Sequence, residues 1–177
     1  MTNTSQSTPV TQLADVAVHD LLAELATQGI KIQLPEDELA LVKQIRTLDV
    51  DGGEAGKGEI IIDMPVEPDS WFFKCHFPGD PIMPGCLGIE GMWQSMGVLL
   101  AAKGYHGKLR ALGIGDVKFL GEVRPHHKTV SFKLTMDKCK ANRKMVMAVA
   151  RGSVEVDGEE IYVADKLKVG VIFEASE

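Results

Sequence analysis

Positive charge is in short supply in this chain. Its 19 Lys and Arg stand against 25 Asp and Glu, a formal net charge of −6 over 177 residues. A phosphate backbone demands a strong positive field, so nucleic acid is not an expected partner. Cysteine is scarcer still: Cys75, Cys86 and Cys139 are an odd number without CxxC spacing, which argues against a disulfide framework or a structural zinc site and leaves reduced thiols. No apolar run reaches bilayer length. The uncharged stretch at residues 91–102 is too short to span, and the apolar residues before it are broken by Glu90, Pro and Gly. The opening MTNTSQSTPVTQ lacks both a basic cluster and an apolar h-region, so residues 1–12 are expected to be a disordered tail rather than a signal peptide, and the cytoplasm is the expected location.

What the chain has is a dense central segment, residues 71–104, reading WFFKCHFPGDPIMPGCLGIEGMWQSMGVLLAAKG. Residues 71–77 read as an aromatic extended run and 78–84 as a turn. A helix of roughly twenty residues then starts at Pro84 or Gly85 and closes near Gly104. Leu87, Ile89, Met92, Trp93, Met96, Val98, Leu99 and Leu100 leave it no polar face, so burial on all sides is expected. One carboxylate, Glu90, stands in that apolar wall, and a buried carboxylate needs a partner. Cys86 one turn before it and Gln94 one turn after share its face, with Gln94 able to hydrogen-bond it. His76 leaves the extended run just before the turn. A His and a carboxylate in an apolar pocket, near the first N–H groups of a helix, make a general acid/base pair beside a site for developing negative charge. The plainer readings are a half-buried histidine at a strand end and a carboxylate at a dimer seam or beside a buried Arg. Cys75 neighbours His76 along the extended run, so the two are expected to face opposite ways, against a thiol nucleophile or a shared metal. No metal and no cofactor is expected.

The length suits one domain, 13–177, able to bury about 70% of its extended-chain surface. Residues 15–29 carry a helical apolar pattern closed by Gly29, and a short helix is expected after Pro35; both are placed in a layer outside the sheet. Strands are expected at 39–48, 59–66, 109–120, 129–138, 145–156 and 161–171, with Asp157-Gly158 a strong hairpin turn. His126-His127 after Pro125 reads as solvated. A long buried helix with about six antiparallel strands defines an α+β architecture, a sheet wrapped around a central helix, with an extra N-terminal helical segment. Lys138, Lys140, Arg143 and Lys144 gather around one hairpin, with Lys168 on a later strand. Such a run reads either as a solvated edge that blocks aggregation or as a docking patch for an acidic partner.

The segment CHFPGDPIMPGCLGIEGMWQ at residues 75–94 resembles the active-site segment of the bacterial 3-hydroxydecanoyl-[acyl-carrier-protein] dehydratase/isomerase family. RALGIGDVKFLGEV at 110–123 and IYVADKLKVGVIF at 161–173 extend the resemblance. It implies a hot-dog fold, a homodimer whose active site is shared across the subunit interface, and acyl carrier protein as partner. The implied reaction is dehydration of a (3R)-3-hydroxyacyl thioester to the trans-2-enoyl product in fatty-acid biosynthesis. In that scheme His76 is the base on the α-carbon, Glu90 protonates the leaving hydroxyl, and the N–H groups of Gly85 and Cys86 hold the thioester oxygen. The carbonyl of Ile82 fixes the His tautomer, and the basic residues dock the carrier. The dehydratase/isomerases carry Asp where this chain has Glu90, the choice of the related dehydratase-only family, so isomerisation to the cis-3 product stays open. An acyl thioesterase using the same carboxylate, and a non-catalytic carrier-binding scaffold, are the alternatives.

Overall fold

The computed structural model describes residues 12–173. The organising element is helix α3, Gly85–Ala102, entered from Pro84 in extended backbone at φ −55°, ψ 129°. Met92, Met96, Val98, Leu99, Leu100 and Ala101 on it are wholly buried. Eight strands surround it: β1 Gln12–Ala17, β2 Gln44–Asp49, β3 Glu59–Pro65, β4 Lys108–Gly113, β5 Val117–Phe119, β6 Thr129–Ala141, β7 Met145–Val156 and β8 Glu159–Ile172. They form one sheet in the order β1-β2-β3-β6-β7-β8-β4, with β5 also on β8, and every pairing is antiparallel. The two-residue turn between β7 and β8 has Asp157 at φ 50° and Gly158 at φ 91°, the double positive φ that a tight hairpin needs.

The helix approaches the sheet closely because three glycines face aromatic rings. A Cβ on Gly85 would lie 2.7 Å from the Phe119 ring, one on Gly88 2.4 Å from Tyr162, and one on Gly91 2.3 Å from Phe132. These residues recur every third position, so they form a stripe along the helix into which the rings of β5, β8 and β6 settle. The α+β wrap read from the sequence is the fold observed.

Several local expectations are corrected. The expected helix at 15–29 is the shorter α1, Val18–Thr27, and the residues before it form β1. That strand pairs with β2 from Gln12↔Asp49 to Ala17↔Gln44, so the N-terminal segment joins the sheet rather than standing outside it. The rest of the expected tail, residues 1–11, lies outside the described residues. The helix after Pro35 is a single 3-10 turn, Asp37–Leu39, and strand structure resumes only at Gln44. Residues 109–120 divide into β4 and β5, parted at 114–116, where the backbone of Gly115 and Asp116 bonds Asp165 instead. The α3 surface is not buried on all sides: Cys86 is exposed, and Ile89, Glu90 and Trp93 are half-buried.

Candidate active site

Residues expected to be extended, Trp71–Cys75, instead form the one-turn helix α2. Both Phe72 and Phe73 are buried, and a strand would send these adjacent side chains to opposite faces. A helical turn lets both face the core and each other, with ring centroids 4.6 Å apart. His76 ends this turn, its N–H donating to the Phe72 carbonyl at 2.8 Å. The expectation that Cys75 lies opposite His76 on a strand fails with the strand; Cys75 Sγ instead points back to the carbonyls of Trp71 and Phe72 at 3.6 and 3.7 Å.

The chain then reverses tightly. Phe77 and Asp80 exchange backbone hydrogen bonds of 2.8 and 2.9 Å around Pro78-Gly79, with Gly79 at φ +83°; Pro second and a positive-φ glycine third are what a type II turn requires. Beyond the turn, Ile82 bonds His76 twice. Its N–H donates to the His76 carbonyl at 2.9 Å, and its own carbonyl sits 3.1 Å from His76 Nδ1. A carbonyl only accepts, so this contact puts the imidazole proton on Nδ1 and leaves Nε2 with its lone pair. The ring is half-buried and stacks on Phe77 at 4.0 Å. Arg124 clamps the turn from outside through Asp80 Oδ1 at 2.9 Å and through Glu122. Those carboxylates hold the guanidinium above its usual pKa. Met83 N–H bonds the Val123 carbonyl at 2.9 Å, and the Arg124 N–H donates to His127 Nδ1 at 2.9 Å, so His127 is an internal acceptor rather than a solvated ring.

Glu90 belongs to a second cluster. Gln94, 1% exposed, donates from Nε2 to Glu90 Oε1 at 2.9 Å and to the Leu39 carbonyl at 2.7 Å, while its Oε1 accepts the Leu41 N–H at 3.1 Å. One buried amide thus ties the carboxylate to the strap of chain that precedes β2. Glu90, Trp93 and Gln94 line a cleft of about 380 Å³, closed on one side by Leu34 and Pro35 and on the other by Leu109 to Ala111 of β4. The indole N–H of Trp93 is buried there without a hydrogen-bond partner among the described residues.

Within one chain the structure therefore joins His76 to Ile82 and Glu90 to Gln94, and His76 makes no hydrogen bond to Glu90. Gly85 and Cys86 begin α3, where a helix has no acceptors of its own for the first N–H groups. Lys138, Lys140 and Lys168 are exposed, and Lys138 and Lys168 both register against Val149, which sets these two on one face of the sheet. Arg143 and Lys144 are exposed in the hairpin, where Asn142 Oδ1 accepts the N–H groups of Lys144 and Met145 at 2.8 and 3.0 Å. Sequence reasoning missed Arg124 and Asp80, which lie 44 residues apart and whose only signal was an Arg before Pro125. It also missed the strap, because Pro35 signals only the start of a short helix.

A single antiparallel sheet wrapped on a glycine-striped central helix is the layout of a hot-dog protein. The family model for the FabA-like domain matches residues 34–165, and the chain belongs to that family. Among solved structures, the dehydratase heterocomplex ApeI:P from Xenorhabdus doucetiae is similar at 16% identity over 88% of this chain and 91% of that one, with a TM-score of 0.58. A putative thioesterase related to phenylacetic acid degradation, from Ralstonia eutropha, is similar at 16% identity over 73% and 83%, TM-score 0.50. A mutant of the fluoroacetyl-CoA-specific thioesterase FlK matches at 15% identity over 69% and 89%, TM-score 0.50. These likenesses establish the shared fold. No helix among the described residues is long and apolar enough to cross a membrane.

Proposed function

We propose that the protein dehydrates a (3R)-3-hydroxyacyl thioester on acyl carrier protein to the trans-2-enoyl thioester. The observation that carries this reading is the His76 ring held through Nδ1 by the Ile82 carbonyl at 3.1 Å, which leaves the Nε2 lone pair free to act as a base. Nε2 removes a proton from C2, the thioester oxygen takes up the developing charge and accepts hydrogen bonds from the Gly85 and Cys86 N–H groups, and the C3 hydroxyl leaves as water with a proton from Glu90. An oxyanion donor of this kind lowers the barrier by about 3–4 kcal/mol. Since His76 and Glu90 sit in separate clusters of one chain, the complete site is assigned to a homodimer in which each half draws its acid from the other copy. The exposed basic residues of the β6–β7 hairpin and Lys168 dock the acidic carrier.

The test is product analysis with a 3-hydroxydecanoyl thioester. Wild type yields trans-2-enoyl product, and His76→Ala loses roughly 10²–10⁴-fold in rate, the usual contribution of a positioned base. Free acid as the product instead assigns a thioesterase in which Glu90 activates water. Carrier binding without turnover assigns a scaffold. Glu90→Asp shortens the carboxylate by one methylene, about the displacement to which catalytic geometry is sensitive. A cis-3 product gained only in that variant means that carboxylate length decides between dehydration alone and dehydration with isomerisation.

A further inference from the structure

A second cleft lies apart from the one that holds Glu90. It lies between α1 and the strap, encloses about 970 Å³, and shares with the Glu90 cleft only the strap residues 33–35 and Lys108. Its lining divides by chemistry. Val18, Leu22 and Ala26 of α1 face Ile32, Leu34 and Val42 to give an apolar floor, and Lys31, Lys43 and Lys108 stand on its rim with His19 and His106. Lys31 and Lys43 are exposed, and neither makes an ion pair among the described residues. Glu36 is the one carboxylate of the lining, and Asp20 lies beside His19 at 3.0 Å. Cations thus concentrate around an apolar trough on a chain whose net charge is −6. The trough is also fixed in shape: the strap is pinned to the start of β4 by the Gly107 N–H on the Lys31 carbonyl at 3.0 Å and by the Ile32↔Gly107 bridge.

We propose that this cleft is a second binding site, distinct from the Glu90 cleft, for an anionic amphiphile: a single saturated acyl chain with a carboxylate or phosphate head. The chain lies along Leu22, Ile32 and Leu34, and the head is held at Lys31 and Lys43. A volume of about 970 Å³ lies at the upper end of the range for small-ligand sites and accommodates a chain of medium length. The charge pattern selects the head, because an apolar trough alone does not distinguish an anion from a cation, whereas rim lysines repel the latter.

The experiment is isothermal titration of the full chain with decanoate, with S-decanoyl-4′-phosphopantetheine, and with decyltrimethylammonium, all below their micellar concentrations. Wild type binds decanoate, the phosphate-headed probe or both, and binds the cationic probe at least 10-fold more weakly. The Lys31→Glu/Lys43→Glu double variant, whose substitutions are both on exposed side chains, loses at least 10-fold in affinity for the anionic probes, with its circular dichroism spectrum unchanged. The carboxylate and phosphate arms separate a free acid from an acyl-phosphopantetheine as the natural head group. His76→Ala and Glu90→Gln keep the anion binding. Equal affinity for the cationic probe, an unchanged affinity in the double variant, or loss of binding in His76→Ala or Glu90→Gln would overturn the assignment; the last outcome would place decanoate in the catalytic cleft.

Discussion

Tyr162 shows how one side chain carries both packing and a pH response. Its ring is 2% exposed, meets Phe119 edge-on at 4.8 Å and covers Gly88. Burial above all, with Glu122 and Cys86 adding to it, pushes its phenol up to about 12, against a value near 10 for a solvated tyrosine. The folded state therefore holds this proton more tightly than the unfolded state. The associated stability is complete below pH 10 and is lost as pH rises from 10 toward 12. Tyr162→Phe is expected to flatten that decline. Urea midpoints measured at pH 9 and pH 11 fall further apart in wild type than in the variant, and equal spacings would remove Tyr162 as the source. At this scale much was legible: Glu90 and Gln94 are one helical turn apart, so their hydrogen bond follows from spacing alone. The further bonds of Gln94 to Leu39 and Leu41 cross 55 and 53 residues, and no local pattern announces them.

Among the elements, α3 was the most readable because its apolar run, its entering proline and its closing glycine agree. The aromatic run at 71–75 misled, since Trp and Phe favour strands when no tertiary context intervenes; the need to bury adjacent Phe72 and Phe73 on the same side decided for a helix. Edge strand β1 was missed for a related reason. Its residues are only partly covered, so it shows no clean alternation, and its existence depends on β2, whose partners lie 27 to 37 residues later. Gly85 carries a second lesson: the space a Cβ would fill there is taken by the Phe119 ring, so its lack of a side chain serves the packing of β5 on the helix. The glycine stripe predicts a stability effect. Gly88→Ala puts a Cβ 2.4 Å from the Tyr162 ring and is expected to destabilise by about 1–3 kcal/mol, the usual range for overpacking. Pairing it with Tyr162→Leu relieves the clash, so the double variant unfolds at a higher denaturant concentration than additivity of the singles allows. Strict additivity would mean that the ring is not what the methyl meets.

For the whole molecule, the sheet among the described residues ends at β1 on one side and at β4 and β5 on the other, and several large apolar side chains stay exposed near the site: Phe77 at 51%, Phe119 at 54% and Leu120 at 64%. Leu112 on β4 adds another at 46%. Apolar surface gathered beside an unpaired strand edge is what a protein–protein interface requires. Light scattering at micromolar concentration is expected to give twice the chain mass of 19.2 kDa. A mass of one chain would leave His76 and Glu90 apart and remove the shared-site proposal.

The Gln94 amide has a use independent of any substrate. Both of its hydrogens are engaged, by Leu39 and by Glu90, and the group is sealed from solvent. Its side-chain protons should therefore exchange with deuterated water far more slowly than those of a surface glutamine, and should do so only when the strap lifts. Their exchange rate in an NMR spectrum is a clock for that opening. A rate equal to that of exposed glutamines such as Gln28 would mean that the strap is not closed over Glu90 in solution.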